Sequence, residues 1–294
     1  MRVLILNAFH YPRGGVERVV FDETRGLAAA GHEVAHFAIQ DPRNLESPTA
    51  KFFAPPADFG ENAPLSRSLA QLPRTIWSKP AADALDRLLG VWHPDVAHVH
   101  APSRYLTPAP MRSLERQSVP MVMTLHDFKP WCTNRVMFAR GEPCQRCKGG
   151  AHWHAAVVGC VQNSHAKSLL GALEAYVHDA RGAYGGVRHW IAPSRFARER
   201  GLAHGLPNER VSVIPHGVGP AHATRGAAAA NATGAAGVVA APVPPREPFV
   251  LFAGRLSSEK GVDLLPAIAA AIAPAPLIVA GEGPLHATLA AAAG

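Results

Sequence analysis

The sequence predicts an α/β protein with two Rossmann-like domains that contain parallel sheets, the second domain being incomplete. An apolar run at residues 2–7, a segment of helical periodicity at 16–31 and an apolar run at 32–39 form the first repeat of the pattern. A strand, a helix and a strand at this spacing make a βαβ unit, in which the two strands are parallel. A stretch rich in Ala, Gly and Pro at residues 219–247 separates this series from a shorter one, which predicts a linker between two domains.

The first predicted domain spans residues 1–218 and continues the alternation of strands and helices. The Pro-rich segment at residues 40–75 shows no regular pattern. Ser194 is a residue type that caps helix N-termini, so a helix is expected directly after it. Apolar periodicity predicts helices at 81–92, 108–118 and 164–182, and apolar runs predict strands at 94–101, 120–127, 188–194 and 211–218.

The second predicted domain, residues 248–294, holds fewer elements. Its pattern predicts a strand at 248–254, a helix at 260–272, a strand at 275–283 and a helix that begins at Pro284. Parallel sheets are normally covered by helices on both faces, and two strands are few for such a sheet. We therefore expect this domain to be truncated.

The composition narrows the class of protein. The chain has 294 residues, of which 48% are apolar, enough for two domains of ordinary size. A formal charge of +7 and a pI of about 9.6 favour anionic partners, but scattered basic residues without interleaved aromatics argue against nucleic acid. No secretory signal and no apolar stretch of about 18 residues are evident. We expect a cytoplasmic protein, with a charge that suits the inner face of the membrane.

Charged residues follow both strands of the second domain. Arg255 and Lys260 come after the strand at 248–254, and the sequence GEGP, which contains Glu282 and Gly283, follows the next strand. Ligands bind at the carboxyl ends of parallel strands, and an Arg and a Lys placed there favour a phosphate. The alternative is a pair of solvated cations and a tight turn.

Gly14 and Gly15 open the first predicted helix. Glycine lets a ligand approach the backbone closely, and a helix N-terminus attracts negative charge. The pair alone is also typical of a plain turn. Because the motif is not GxGxxG, it does not favour a nicotinamide cofactor.

Histidines stand at the ends of three predicted strands. His126 and Asp127 end the strand at 120–127, HVH (98–100) ends its neighbour and PHG (215–217) follows another. A histidine at a strand end can exchange hydrogen bonds with a substrate hydroxyl. We take His126 and Asp127 as the candidate catalytic residues, with a purely structural histidine as the alternative.

Several motifs resemble those of retaining glycosyltransferase family 4, whose members have the GT-B fold. GRLSSEKGVDLL followed by VAGEGP is similar to the family's nucleotide-sugar domain. GGVERVV, PDVAHVHA, LHD, APSRFAR and VIPHGV resemble, in the correct order, motifs of its amino-terminal half. The resemblance covers essentially the whole chain. The family also carries a later E-x7-E pair, and these 294 residues end before that region.

The resemblance implies sugar transfer, with retention, from a nucleotide-sugar donor to a hydroxyl acceptor such as a polysaccharide or lipid-linked glycan. It implies that Gly14 and Gly15 approach the donor diphosphate and that Arg255 and Lys260 neutralise it. Positive charge there stabilises the departing nucleoside diphosphate. No cofactor is expected for catalysis.

Three further positions take their roles from the same resemblance. His126 matches the histidine that contacts the donor sugar, and Glu282 and Gly283 match a turn beside the nucleotide. The alternatives left open are a GT-B-type epimerase or phosphorylase, and a non-catalytic binding module.

All four cysteines lie in one loop, residues 128–163, with the spacing C-x11-C-x2-C-x12-C: Cys132, Cys144, Cys147 and Cys160. In a cytosolic protein clustered cysteines favour metal over disulfides, and four thiolates suit structural zinc. His152 and His154 are additional candidate ligands. An iron–sulfur cluster, reduced thiols and redox disulfides are the alternatives.

Overall fold

The computed structural model describes residues 1–56, 73–217 and 248–292. The chain divides into two compact units. The first comprises Met1–Met137 with Gln145–Gly219, and the second Phe138–Cys144 with Pro220–Gly294. The predicted linker at 219–247 lies outside the described residues, so the domain limits drawn from the sequence stay a prediction.

The strands are numbered in chain order: β1 (Arg2–Leu6), β2 (Glu33–Phe37), β3 (Val96–Val99), β4 (Met121–Thr124), β5 (Phe138–Ala139), β6 (Glu142–Pro143), β7 (Val187–Ala192), β8 (Val211–Val213), β9 (Val250–Ala253) and β10 (Leu277–Ala280). The α-helices with complete bounds are α1 (Gly15–Ala29), α2 (Lys79–Leu89), α3 (Ser103–Leu106), α4 (Ala109–Arg116), α5 (Trp153–Val158), α6 (His165–Ala180), α7 (Arg195–Ala203), α8 (Leu265–Ile272) and α9 (His286–Ala292).

The first unit contains a six-stranded sheet in the order β2-β1-β3-β4-β7-β8. Every pairing in it is parallel, as the βαβ pattern predicts. Leu4 of β1 lies opposite Ala35 on one side and Ala97 on the other. The chain runs outward from β1 in both directions, so the strand order reverses between β1 and β3. In open α/β sheets ligands bind outside the carboxyl ends of the strands at such a point.

Alternation along β1 divides the core between the two faces of the sheet. Leu4 and Leu6 belong to the large core cluster, whereas Val3 and Ile5 pack with Val20 of α1. All five side chains are at most 5% exposed. This period of two residues is that of a strand covered on both faces.

Serine side chains set the starts of several helices. Ser164 and Ser194 accept hydrogen bonds from Lys167 N and Ala197 N, so the predicted helices at 164–182 and after 194 are confirmed. Ser78 caps α2, which begins two residues before the predicted range because a proline in its first turn suits a helix start.

The second unit contains the parallel pair β9 and β10, packed on a small core of Leu256, Val262 and Leu265. The predicted continuous helix at 260–272 is wrong. Two short 3₁₀ turns precede α8, because Gly261 has a left-handed φ of +70° and a proline occupies the first turn of α8.

The antiparallel hairpin β5–β6 and the helix α5 lie inside the cysteine-rich loop, where the sequence pattern indicated neither. Within the described residues, no helix has both the length and the apolar character needed to cross a bilayer.

Candidate active site

The three histidine motifs meet at the carboxyl edge of the first unit's sheet. His98 lies in β3 and His100 directly follows it, so both rings project from the same face of the strand. Ring centroids are 4.1 Å apart for His98 and His100, 5.1 Å for His100 and His126, and 5.1 Å for His126 and His216. We call His98, His100, His126 and His216 the histidine row. Its place beside the β1–β3 reversal is where a ligand is expected.

Glu23 of α1 anchors one end of the row. Its Oε1 atom contacts His98 Nδ1 closely, and its Oε2 atom lies 3.1 Å from His100 Nε2. This second contact is misaligned, so the buried His100 Nε2 has no hydrogen bond of good geometry. His100 Nδ1 is 2.9 Å from His126 Nε2, and His98 Nε2 is 2.8 Å from Thr124 Oγ1.

Burial keeps the imidazoles of His100 and His126 uncharged at neutral pH. It lowers the pKa of His100 to about 4, against a smaller opposing effect of Glu23. Burial, together with the neighbouring His100 and His216, lowers the pKa of His126 to about 2. Burial would raise the pKa of Glu23, but its close contacts with His100 and His98 outweigh burial and bring that pKa to about 2. At neutral pH the site therefore holds the Glu23 carboxylate together with the neutral rings of His100 and His126.

A small cavity opens beside His126. Its volume is about 10 Å³, room for about one water molecule. The polar side chains around it come from the row, the end of β4, the start of the cysteine-rich loop and the segment before β7: His100, Thr124, His126, Asp127, Lys129, Arg135 and Tyr184.

Asp127 uses both carboxylate oxygens within the loop. Its Oδ1 accepts from Lys129 N at 2.9 Å, and its Oδ2 accepts from Arg135 Nε at 2.9 Å. A second Arg135 nitrogen lies 2.7 Å from the same oxygen. Asp127 thus ties the loop to the end of β4, and its catalytic role stays a prediction.

Gly14 and Gly15 form the N-terminus of α1, as predicted. A Cβ at Gly15 would meet no atom within 4 Å, so packing does not require glycine there. Glu17, in the first turn, is buried and accepts from Asn7 Nδ2 at 3.3 Å. The open space at Gly15 leaves backbone amides accessible to an anion.

In the second unit, backbone hydrogen bonds connect the loop after β9 with the loop after β10. Leu256 N donates to Glu282 O at 2.9 Å, and Leu285 N donates to Leu256 O at 3.0 Å. A Cβ at Gly283 would lie 2.3 Å from Leu256 O, so only glycine fits. The loops after β9 and β10 therefore lie at the same edge of this two-stranded sheet.

Arg255 and Lys260 are exposed on this edge. Glu259 lies between them in the chain, and its pKa is lowered first by a hydrogen bond from Ser257 and then by the two cations. The predicted meeting of these cations with Gly14 and Gly15 would join the two units, and it stays a prediction.

A family model described as Glycosyltransferase Family 4 matches residues 13–222. The chain belongs to this glycosyltransferase family. The match includes Gly14, Gly15, His126 and the cysteine-rich loop, whereas Arg255, Lys260, Glu282 and Gly283 lie beyond it. Enzymes of this family generally need no catalytic cofactor. No curated protein matches the chain.

Solved structures share the fold of this chain. Sucrose-phosphate synthase from Thermosynechococcus elongatus has a TM-score of 0.52 and 17% identity over 95% of this chain and 61% of its own. Anabaena HepE in complex with UDP and glucose has a TM-score of 0.52 and 15% identity over 100% and 65%. A glycosyltransferase from Rickettsia africae has a TM-score of 0.50 and 13% identity over 98% and 62%.

These likenesses establish the predicted α/β fold of GT-B type, because identities this low speak to fold alone. The chain spans between 61% and 65% of the length of these three structures.

The four cysteines, all among the described residues, are half-buried and form no disulfide with one another. In the first unit, Thr133 Oγ1 lies 3.8 Å from Cys147 Sγ, and His152 Nε2 lies 2.8 Å from Asp179 Oδ2. Burial opposes the charged forms, but Asp179 and Cys147 raise the pKa of His152 to about 9. The pKa of Cys147 is lowered, although burial would raise it, because His152 and Thr133 hydrogen-bond to the thiolate.

Of the two additional histidines, His152 is therefore the one beside a cysteine, whereas His154 stacks on Trp153 at 3.6 Å. Among the described residues, no three cysteine or histidine ligand atoms of this loop lie within 4.8 Å of one another. In the described part of the chain, the one group of three His, Cys, Asp or Glu ligand atoms that lie this close together is that of Glu23, His98 and His100. The four-cysteine zinc site stays a prediction.

Proposed function

We propose that this chain transfers a sugar, with retention of configuration, from a nucleotide-sugar donor to a hydroxyl acceptor such as a polysaccharide or lipid-linked glycan. The observation that carries the proposal is the histidine row, which lies where parallel strands end beside the reversal of strand order. It lies within the residues that match the glycosyltransferase family. A neutral imidazole at such an edge is suited to hydrogen-bond a sugar hydroxyl.

His126 contacts the donor sugar in this proposal, and Asp127 positions the loop beside it. Gly14 and Gly15 approach the diphosphate through backbone amides, and Arg255 and Lys260 supply positive charge. Glu282 and Gly283 shape the turn beside the nucleotide. The departing diphosphate gains negative charge as the sugar bond breaks, so cations at this position lower the barrier.

Calorimetric titration tests donor binding, with UDP and UDP-glucose as probes because HepE was solved with UDP and glucose. Arg255→Ala and Lys260→Ala should each weaken UDP binding by about tenfold or more, since hydrogen bonds to charged groups contribute about 1.5–3 kcal/mol. Arg188→Ala removes an exposed cation from β7 and should leave the affinity unchanged.

His126→Asn should remove the preference for UDP-glucose over UDP while leaving UDP affinity intact, because the proposed contact is to the sugar. Unchanged UDP binding in both cation variants would contradict the diphosphate assignment. Nucleotide binding without sugar transfer to any hydroxyl acceptor would favour the binding module instead.

We propose a structural zinc ion in the cysteine-rich loop, held by thiolates of Cys132, Cys144, Cys147 and Cys160. Zinc binding would have to bring the ligands together, because no three ligand atoms of this loop lie within 4.8 Å of one another among the residues that the structure describes. His152 supports the proposal, because a protonated imidazole beside Cys147 favours the thiolate that zinc requires. Elemental analysis should find about one zinc per chain, and a metal-free, fully folded protein would contradict the proposal.

We also propose peripheral contact with an anionic membrane. Leu169, Leu173 and Tyr176 recur on one face of α6 with exposures of 63%, 50% and 40%, and Trp153 of the adjoining α5 is 53% exposed. An exposed apolar face on a chain with a formal charge of +7 suits an anionic lipid surface.

Co-sedimentation with phosphatidylglycerol vesicles tests this contact. Binding should exceed that to phosphatidylcholine vesicles and fall at least tenfold in Leu169→Glu/Leu173→Glu. The control Val91→Glu adds a charge at a position that is 69% exposed and should bind as the parent does. Equal sedimentation with both lipids would contradict the proposal.

A further inference from the structure

Donor and acceptor roles can be assigned to each contact that leads from Glu23 through His100 to His126. A carboxylate only accepts hydrogen bonds, whereas a neutral imidazole has one donor nitrogen and one acceptor nitrogen. The side-chain atom at the Glu23 end therefore decides where each proton lies along the row.

His100 is the first link. Its Nε2 atom lies 3.1 Å from Glu23 Oε2. The contact is misaligned for a hydrogen bond, but the negative charge of Glu23 at this distance stabilises an N–H dipole and repels a lone pair, so the proton belongs on Nε2. A neutral His100 then has an unprotonated Nδ1. Full burial supports the neutral ring, because desolvation disfavours the imidazolium.

His126 is the second link. Its Nε2 atom lies 2.9 Å from His100 Nδ1, which accepts a hydrogen bond in this arrangement. His126 must then donate through Nε2–H, and its own Nδ1 keeps a lone pair. His98 does not compete for this bond, because its nitrogens contact Glu23 and Thr124.

We propose that Glu23 and His100 are positioning residues that hold His126 in the Nε2–H tautomer, so that Nδ1 accepts a hydrogen bond from a substrate hydroxyl. The inference rests on the proposed function, in which His126 meets the sugar. It makes His126 an acceptor: a hydroxyl that donates a hydrogen bond is recognised, and a fluorine or hydrogen in its place is not.

Nitrogen-15 NMR of the full chain with labelled histidines tests the tautomer without any sugar. His126 is assigned by the signal lost in His126→Gln. In the parent chain, His126 Nε2 should show a protonated shift and Nδ1 an unprotonated one. A scalar coupling across the hydrogen bond should join His126 Nε2 to His100 Nδ1, with the proton on His126.

Variants separate positioning from packing. Glu23→Gln places an amide donor opposite His100 and should shift His126 toward the Nδ1–H tautomer. His100→Ala should give mixed tautomers, and His100→Gln should restore the single Nε2–H form because its amide can donate to Glu23 and accept from His126. Thr124→Val is the control: it removes a hydrogen bond to His98 and should leave the tautomer of His126 unchanged.

A parent chain with Nδ1–H on His126, or a tautomer unaffected by both Glu23→Gln and His100→Ala, would overturn the proposal. So would Zn²⁺ binding that moves the His100 Nε2 signal and is reversed by chelator, because that nitrogen would then be a lone pair. A correct tautomer in a chain that transfers no sugar would instead leave the positioning intact and refute the proposed function.

Discussion

At the scale of single residues, the site is a half-buried carboxylate, that of Glu23, in a row with His100 and His126, whose rings burial keeps neutral. Glu23 stays ionised because its two carboxylate oxygens contact the rings of His98 and His100. Because a carboxylate only accepts hydrogen bonds, Glu23 sets which ring nitrogens of the row donate and which accept. The stability of the first unit should therefore depend on pH.

Acid should destabilise the first unit as soon as the pH falls below about 6.5. Burial lowers the pKa of His36 and of His100 to about 4 and that of His126 to about 2, from 6.5 in the exposed residue. Between these values the unfolded chain binds protons that the folded chain does not, so stability falls as the pH falls. Below pH 4.5 Glu23, whose pKa is about 2, extends the loss because its carboxylate is protonated first in the unfolded chain.

Each of these histidines contributes at most roughly 1.4 kcal/mol per pH unit to the slope. Urea unfolding at about pH 7, 6 and 5 measures it. His100→Gln should flatten the slope, whereas His93→Gln, at an exposed position, should reproduce the parent. A parent stability that is constant over this range would refute the neutral state of His36, His100 and His126 in the folded chain.

The sequence indicates the histidines but not the residue that orders them. HVH, LHD and PHG each stand at a strand end, and parallel strands bring their carboxyl ends to one edge. Glu23 shows no such signal, since a glutamate within an amphipathic helix ordinarily faces solvent. It is directed inward by the packing of α1 on the sheet, where Val20 meets Val3 and Ile5.

At the scale of elements, backbone geometry decides where apolar periodicity predicts helices and strands correctly. Apolar periodicity identified α1, α4 and α6, because their buried faces repeat regularly. It failed at 260–272, where the apolar spacing continues through a left-handed Gly261 and a proline that begins α8. The hairpin β5–β6 was not predicted from the sequence, because two residues per strand are too few to show an alternation of apolar and polar side chains.

The loops of the second unit supply a prediction at this scale. Gly283→Ala should destabilise the unit by about 2 kcal/mol or more, because the added Cβ would lie 2.3 Å from Leu256 O. Amide hydrogen exchange of β9 and β10 measures the loss. Gly26→Ala, whose Cβ would meet no atom within 4 Å, should instead stabilise α1 by about 0.5–1 kcal/mol. Unchanged exchange in Gly283→Ala would show that the two loops are not joined as described.

At the scale of the whole molecule, the sequence predicted the α/β class because each strand and helix is local, and the ordered motifs predicted the family. The placement of Arg255 and Lys260 relative to Gly14 and Gly15 is a different kind of statement. It depends on contacts between segments more than 200 residues apart in the chain, which no local pattern specifies. Thermodynamic coupling can test it directly.

If one diphosphate touches both Gly15 and Arg255, substitutions there should not act independently on its binding. Gly15→Ala adds a methyl group where no atom of the protein lies within 4 Å, so it should weaken UDP binding while the fold is retained. In a double-mutant cycle on UDP affinity, Gly15→Ala and Arg255→Ala should show an interaction energy of about 0.5–3 kcal/mol. The matched pair Gly26→Ala and Arg255→Ala should be additive within about 0.5 kcal/mol. Additivity of the first pair as well would mean that glycine turn and cations do not hold the same ligand, and the diphosphate would then belong to the Arg255–Lys260 edge alone.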